Sequence, residues 1–470
     1  MNRTPFRPEI AFASLGPDFS DPVRAADFPA TLLRYRNPRA AEKVGLGDLT
    51  DDQWIAHFGR FEPLPGAQGQ PLALRYHGHQ FRSYNPDLGD GRGFLFAQMR
   101  DADGRLVDLS TKGTGTTPYS RSADGRLTLK GGVREVLATT MLSALGVNTS
   151  DSFSLIETGE DLARNDEPSP TRSAVLVRRT HASIRFGTFQ RHAFHDRADL
   201  VGQLTDHVIE TCHPDLADAP DRGAALLGRA VTRSAELAAQ WMVAGFVHGV
   251  LNTDNMNING ESFDYGPYRF LPRNDPNFVA AYFDRTGLYA FGRQPEAVLW
   301  NLRQLAGCLM LVSEEGPLTA ALETYSGLYR DALRRNMLRR LGVVAKDSAE
   351  DIELVNSAFR ALASGGDDLR WEPFFFDWFG GVTSEARALS GPRAALYGNE
   401  AFLDFRRHLT GFDMDRPARL SHPVVAAAEP EELLYDEIEA IWARIAAEDD
   451  WSPFNAKLAR LDAAREAYGF

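Results

Sequence analysis

The sequence predicts an α+β protein of two lobes, the first strand-rich and the second helical, with extra segments at both ends. Three observations predict it. A glycine-dense stretch, Leu88-Gly-Asp-Gly-Arg-Gly93, precedes two short apolar runs joined by turn residues. Beyond about residue 200, apolar residues recur at helical spacing. The change of pattern falls near residues 180 to 200. The expected divisions are an N-terminal extension packed on the body (1–70), a strand-rich lobe (71–190), a helical lobe (191–400) and a C-terminal helical segment (401–470).

Residues 1–70 are rich in proline and short polar breaks, which predicts one or two short helices at most. Phe94 to Met99 reads as a strand, Asp101-Ala-Asp-Gly104 as its turn, and Leu106-Val-Asp-Leu109 as a second strand leading to Lys112. A helix follows Gly131 and Gly132. Val133, Val136, Leu137, Thr140, Met141, Ala144 and Leu145 recur at helical spacing, and Gly146 stands at the C-cap. Strands are expected around Ser152–Ile156 and Ala174–Arg178. Leu227, Val231, Ser234, Ala238 and Trp241 line one face of a long helix ending near Gly245. Pro295 opens another, with Leu299, Leu302, Ala306 and Leu309 inward, and Asp347 with Glu350 signals a third.

The 470 residues carry 51 basic and 64 acidic side chains, a formal charge of −13. That balance argues against a general nucleic-acid binder, although not against a local basic pocket. Hydrophobic residues make up 43%, as in ordinary globular chains. Two cysteines, Cys212 and Cys308, supply no disulfide framework and suit a reducing, cytoplasmic setting. The start, Met1-Asn-Arg-Thr-Pro-Phe6, lacks the apolar run of a signal peptide, and no apolar stretch predicts a membrane span.

The densest polar segment is His248-Gly-Val-Leu-Asn-Thr-Asp-Asn255, followed by Asp264-Tyr-Gly266. Its carboxylate and amide oxygens are hard ligands suited to Mg²⁺ or Mn²⁺. His248 and Asn255 stand seven apart, the spacing of the protein-kinase catalytic loop, and Asp264 stands where a kinase carries its metal-binding Asp. The kinase base position holds Val250, so Asp254 is the nearest substitute carboxylate. An Asx-rich loop satisfying its own backbone is the competing reading. A second set comprises Gly89, Gly91 and Gly93, then Lys112, then Glu135. Their order matches a kinase's phosphate-covering loop, strand lysine and partner glutamate. Two solvated charges is the alternative for Lys112 and Glu135. Arg178 and Arg185 could clamp a triphosphate or could be surface charges. Asp124-Gly-Arg126 is a turn. His77 and His79 read as structural histidines, and the aromatics of Trp371–Phe379, around Pro373, as core.

Taken together and in order, the motifs resemble the selenoprotein O family of kinase-like protein adenylyltransferases. The resemblance is carried by Tyr76-His-Gly-His-Gln-Phe81, Leu88–Gly93, Thr111-Lys-Gly-Thr-Gly-Thr-Thr-Pro-Tyr-Ser-Arg121, Asp124-Gly-Arg126, Arg134-Glu135, Ile184-Arg-Phe-Gly187, His248–Asn255, Phe263-Asp-Tyr-Gly-Pro267, Gln294-Pro295 and Trp300-Asn-Leu302. It implies a protein-kinase-like two-lobe fold with ATP bound in a flipped orientation. AMP would then pass to Ser, Thr or Tyr hydroxyls of proteins, this chain included, with pyrophosphate leaving. Lys112 would contact phosphate and pair with Glu135. Gly89, Gly91, Arg92, Asp124 and Gly125 would form part of the nucleotide pocket, and Arg178 and Arg185 would hold the displaced phosphates. Asn255 and Asp264 would ligate Mg²⁺ or Mn²⁺, with Asp254 as proton acceptor.

The sequence departs from the family pattern at His77-Gly78 and at Lys130-Gly-Gly132. It also lacks the cysteine-bearing tail and its partner near Val279-Ala-Ala281, so no tail-to-loop disulfide is expected. A monomer acting on proteins, with no nucleic-acid or membrane partner, is the expected state. A kinase-like phosphotransferase on protein or a small molecule, or a non-catalytic nucleotide-binding regulator, are the alternatives.

Overall fold

In the computed structural model, which describes residues 4–165 and 167–470, the first 180 residues build one large antiparallel sheet and the remainder is mainly helical. The N-terminal stretch supplies strands β1 (Pro8–Glu9), β2 (Ser20–Pro22) and β3 (Leu32–Arg36) and helices α1 (Pro38–Lys43) and α2 (Asp51–Phe58). The two short helices match the sequence reading. The strands do not, because runs of two to five residues broken by proline carry no readable alternation. Met1 to Arg3, part of the stretch read for a signal peptide, lie outside the described residues.

The chain continues through β4 (Leu72–Leu74), a small hairpin of β5 (Gly78–Gln80) and β6 (Ser83–Asn85), then β7 (Leu95–Arg100), β8 (Leu106–Lys112) and β9 (Leu127–Thr128). Helix α3 (Leu129–Ala144) and the long strands β10 (Asp151–Leu162) and β11 (Thr171–Thr180) follow. The expected hairpin and the two later strands are therefore present, with longer ends. The sheet runs β2-β4-β7-β8-β11-β10-β3, with β1 on β7 and β9 on β11. Helix α3 starts before the two glycines rather than after them. Thr128 caps it by accepting from the Gly131 amide, so Gly131 and Gly132 sit in its first turn. Gly146 has φ +75°, as its place past the helix end requires.

Period-2 geometry divides the sheet's two faces. Val175 and Val177 join Trp54, Phe58, Phe96 and Phe153 in one core, where the Trp54 and Phe153 rings stack at 5.0 Å. Ala174 and Leu176 turn the other way and pack with Val133, Leu137 and Met141 of α3. Lys112 lies directly opposite Leu176 across the β8–β11 ladder, so it faces α3; Arg178, two residues along, shares that face.

Gly93 is needed for its lack of a side chain. A Cβ there would sit 2.0 Å from the Thr111 carbonyl oxygen in β8. Gly93→Ala is expected to cost about 1–3 kcal/mol through overpacking against fixed backbone, read as a lower urea midpoint with unchanged m-value.

The second half holds α4 (Phe186–Phe194), α5 (Ala198–Cys212), α6 (Arg222–Val243), strands β12 (Phe246–Val247) and β13 (Arg269–Phe270), and α7 (Gln294–Leu309). Then come α8 (Glu315–Glu323), α9 (Tyr325–Leu341), α10 (Ala349–Ser364), α11 (Trp371–Asp377), α12 (Glu385–Ser390), α13 (Glu400–Leu409), α14 (Tyr435–Glu448) and α15 (Ser452–Tyr468). The apolar stripe of α6 is buried as expected, and Gly245 after it has φ +61°. Pro295 stands in the first turn of α7, whose Leu302, Ala306 and Leu309 are buried; Leu299 is only half-buried. The start of α10 differs from the reading: Ser348, not Asp347, is the cap and accepts from the Glu350 amide. The aromatics of Trp371–Phe379 are core. Phe246 of β12 pairs with Phe270 of β13, so the segment between them, which contains His248–Asn255 and Asp264, is one excursion anchored at both ends. Among the described residues no helix is long and apolar enough to cross a membrane, and both cysteines are free.

Candidate active site

Lys112 at the end of β8 and Glu135 on α3 form a buried ion pair, exposed 4% and 1%. They are not two solvated charges. The strand register above aims the lysine at the helix, and Val133, Val136 and Leu137 fix the helix against the sheet. The Lys112 ammonium also donates to Asp264 Oδ1 at 2.8 Å, and Arg178 Nη1 donates to the same oxygen at 3.3 Å. Asp264 has φ +63°, a conformation that aspartate tolerates better than most residues. Burial raises its carboxyl, but Lys112, Arg178 and Arg185 outweigh burial and hold it well below its ordinary value.

The loop Thr253–Asn255 is a single 3₁₀ turn. Its scaffold is apolar and hydrogen-bonded. The buried His248 amide donates to Gln294 Oε1 at 3.0 Å, and its Nε2 lies 3.0 Å from the Phe263 carbonyl. The Thr253 hydroxyl accepts from the His79 amide at 2.7 Å, and Asn252 Oδ1 accepts from the Phe81 amide at 3.0 Å. The β5–β6 hairpin is thereby pinned to the loop. Phe81 and Arg82, at its tip, take φ +50° and +64°, a strained pair held by these bonds. Asp254 is buried, and its Oδ1 has no hydrogen-bond partner among the described residues. Burial pushes its carboxyl up to about 6, against the pull of Arg185 and with help from Asp264. Asn255 Nδ2 donates to the Val250 carbonyl at 3.0 Å, so the amide is oriented with its Oδ1 on the other side of the group.

Arg185 donates to the Asp254 carbonyl at 3.1 Å and to Asp90 Oδ1 at 3.3 Å. Its guanidinium lies 4.4 Å from the Tyr76 ring centre and 5.1 Å from that of Phe263. Neither Arg178 nor Arg185 is a loose surface charge. Asp90, between Gly89 and Gly91, is a residue of this site that the sequence alone does not single out. The glycines of that loop serve packing. A Cβ at Gly89 would meet the Tyr119 ring at 2.3 Å, and one at Gly91 the Tyr119 carbonyl at 2.9 Å.

The structure thus gathers Lys112, Glu135, Arg178, Arg185, Asp254 and Asp264. It does not bring the Asp124 carboxylate into that network: Arg164 engages it at 2.8 Å, and Gly125 forms the turn with φ +70°. Arg92 is exposed and shares with Lys112 a cavity of about 460 Å³. A smaller cavity beside Arg178 and Arg185 is lined by Ser110, Thr111, Ser150, Thr180 and Ser183. The Ser150 and Ser183 hydroxyls and Arg178 Nε are buried there without hydrogen-bond partners among the described residues. His77 bonds the Tyr84 hydroxyl at 2.8 Å and His79 accepts from Gln190 at 2.7 Å, as structural histidines do.

A family model described as protein adenylyltransferase SelO matches residues 4–462. The chain belongs to the SelO family. Its relatives include proteins named protein nucleotidyltransferase YdiU. That of Synechococcus elongatus is 45% identical, covering 96% of this chain and 94% of its own length. That of Gloeobacter violaceus is 46% identical with the same coverage. That of Vibrio cholerae is 39% identical over 76% of this chain and 72% of its own length.

The chemistry of these residues suits a phosphate-bearing substrate and a hard divalent cation. Lys112 and Arg178 converge on the Asp264 carboxylate, with Arg185 acting on it through space, and Arg178 Nε, a donor suited to a phosphate oxygen, has no partner among the described residues. Among the described residues no cluster of three His, Cys, Asp or Glu side chains could hold a metal unaided. Asn255 Oδ1 and Asp264 are hard donors of the kind that bind Mg²⁺ together with substrate phosphates and water.

Proposed function

We propose that this SelO-family chain transfers AMP from ATP to Ser, Thr or Tyr hydroxyls of proteins, itself among them, and releases pyrophosphate. The observation that carries this reading is the buried Asp254 carboxylate with an unpartnered oxygen, beside the Lys112–Asp264–Arg178 cluster. In this reading the acceptor oxygen attacks the α-phosphorus and gives its proton to Asp254 Oδ1. The bond from the α-phosphorus to the bridging oxygen breaks, and pyrophosphate departs with that oxygen. Lys112, Arg178 and Arg185 neutralise the β- and γ-phosphates, and Glu135 orients Lys112. Gly89, Gly91, Arg92, Asp124 and Gly125 form part of the nucleotide pocket. A divalent ion, Mg²⁺ or Mn²⁺, held by Asn255 and Asp264 would offset charge on the leaving group. Positioning and charge neutralisation supply most of such catalysis.

The reading includes a kinase-like division into a nucleotide-binding lobe (71–190) and a catalytic lobe (191–400), with ATP flipped so that its α-phosphate faces Asp254. The order strand–lysine, helix–glutamate, polar loop, aspartate supports it. A cytoplasmic monomer without nucleic-acid partners goes with the reducing-type cysteine content and the −13 charge.

Incubation with ATP labelled at the α-phosphate is expected to label protein in the presence of Mg²⁺ or Mn²⁺ and not after chelation. Label arriving only from the γ-phosphate would make the chain a phosphotransferase, and no label under either metal would favour a nucleotide-binding regulator.

A further inference from the structure

We propose that Arg134 and Arg269 form an anion subsite that takes a carboxylate side chain of the acceptor polypeptide, beside its reacting hydroxyl. The proposal rests on the reading of this chain as a protein-modifying transferase and names a feature of the acceptor it selects.

Arg134 precedes Glu135 on α3, and Arg269 opens β13; both wall the cavity that contains Lys112 and Arg92. Each is fixed by one guanidinium nitrogen on the same turn. Arg134 Nη2 donates to the Gly266 and Tyr268 carbonyls at 3.3 Å, and Arg269 Nη1 to the Pro267 and Tyr268 carbonyls at 3.0 and 2.8 Å. Aromatic faces hold them flat: Arg269 lies 3.9 Å from the Tyr435 ring centre and Arg134 lies 4.8 Å from that of Tyr268. Among the described residues, Nε and the second Nη of both arginines have no acceptor, and no carboxylate comes within ion-pair distance of either, Glu439 acting on Arg269 only through space. Two stacked, pre-oriented guanidinium forks with free edges match a carboxylate bidentately.

Of the three acids on the same wall, Glu135 pairs through Oε1 with Lys112 and Glu439 through Oε2 with Lys130 at 2.8 Å; Glu167 is the third. Among the described residues, seven basic side chains line this cavity against three acidic ones, in a chain whose overall charge is −13. Burial, and the Arg134 charge beside it, hold Arg269 below its ordinary value, a cost that a bound anion relieves. The nucleotide's phosphates have Lys112, Arg178 and Arg185 on the β8–β11 side. The arginine pair sits toward the rim, where Tyr282 is 82% exposed, within reach of a polypeptide on the surface.

The test uses the full-length protein and two synthetic peptides, each with one tyrosine, flanked in one by glutamates and in the other by glutamines. Binding is measured by titration, without need of transfer. The wild type is expected to bind the glutamate peptide about tenfold tighter, a difference of 1.4 kcal/mol. Arg134→Gln and Arg269→Gln should each abolish that preference while leaving the glutamine peptide's affinity unchanged. Arg269→Lys, which keeps the charge and loses the fork, guards against a folding defect and should give an intermediate ratio. Equal binding of both peptides to the wild type overturns the proposal. So does displacement of the glutamate peptide by inorganic pyrophosphate or a single-stranded oligonucleotide at equal ionic strength, which would assign the pair to the leaving group or to nucleic acid. A retained preference with no AMP transfer would contradict the proposed activity and leave the subsite standing.

Discussion

Replacing Asp254 by Asn is expected to lower AMP transfer by about 10²–10⁴-fold, the usual worth of a positioned proton acceptor. Nucleotide binding should survive, because Lys112, Arg178, Arg185 and Asp264 are untouched. The pH profile makes the test specific. Burial pushes the Asp254 carboxyl up to about 6, so it is protonated and inactive as a base below that pH and ionised above it. Wild-type transfer should therefore rise with pH through about 6, and the residual rate of the Asn variant should lose that limb. A Gly78 Cβ would lie 3.1 Å from Asp254 Oδ1, so the free oxygen already has backbone close by. A variant at 254 that binds nucleotide normally and keeps the acid limb would remove Asp254 from the chemistry.

Lys112→Met is expected to combine lost transfer with lost stability. It strands Glu135, 1% exposed, whose other near cation is Arg178 at 4.0 Å. Breaking a buried ion pair on one side costs about 3–5 kcal/mol, whereas replacing both partners is often close to neutral. The double variant Lys112→Met, Glu135→Gln should therefore recover most of the urea midpoint and none of the transfer. Recovery of both would mean that the pair only supports the fold. Failure to recover stability would mean that Arg178 and Asp264 depend on the pair more than their distances suggest.

Much of the site was legible because its parts are local or ordered along the chain. Lys112 ends a strand, Glu135 lies in the next helix, and His248 to Asn255 is continuous. What stayed hidden depends on tertiary approach. Asp90 meets Arg185 from 95 residues away, and nothing in either segment marks the pairing. The β5–β6 hairpin turns through Phe81 and Arg82 at positive φ, without the glycine or asparagine that normally marks such a turn. Strands β1 and β2 are too short to alternate. The glycines at 89 and 91 read as phosphate-facing, but each is also demanded by Tyr119, so a glycine pattern alone could not separate ligand approach from packing. Arg134 and Arg269 likewise gain meaning only when β13 brings them beside one another.

The central claim is that the α-phosphate, not the γ-phosphate, is transferred. Mass spectrometry of the protein after incubation with unlabelled ATP and Mg²⁺ or Mn²⁺ tests it most directly. The expected result is Ser, Thr or Tyr residues heavier by one AMP group, with pyrophosphate in solution and far less of that addition in Asp254→Asn. A mass increase of one phosphate group, with ADP as the product, would contradict it.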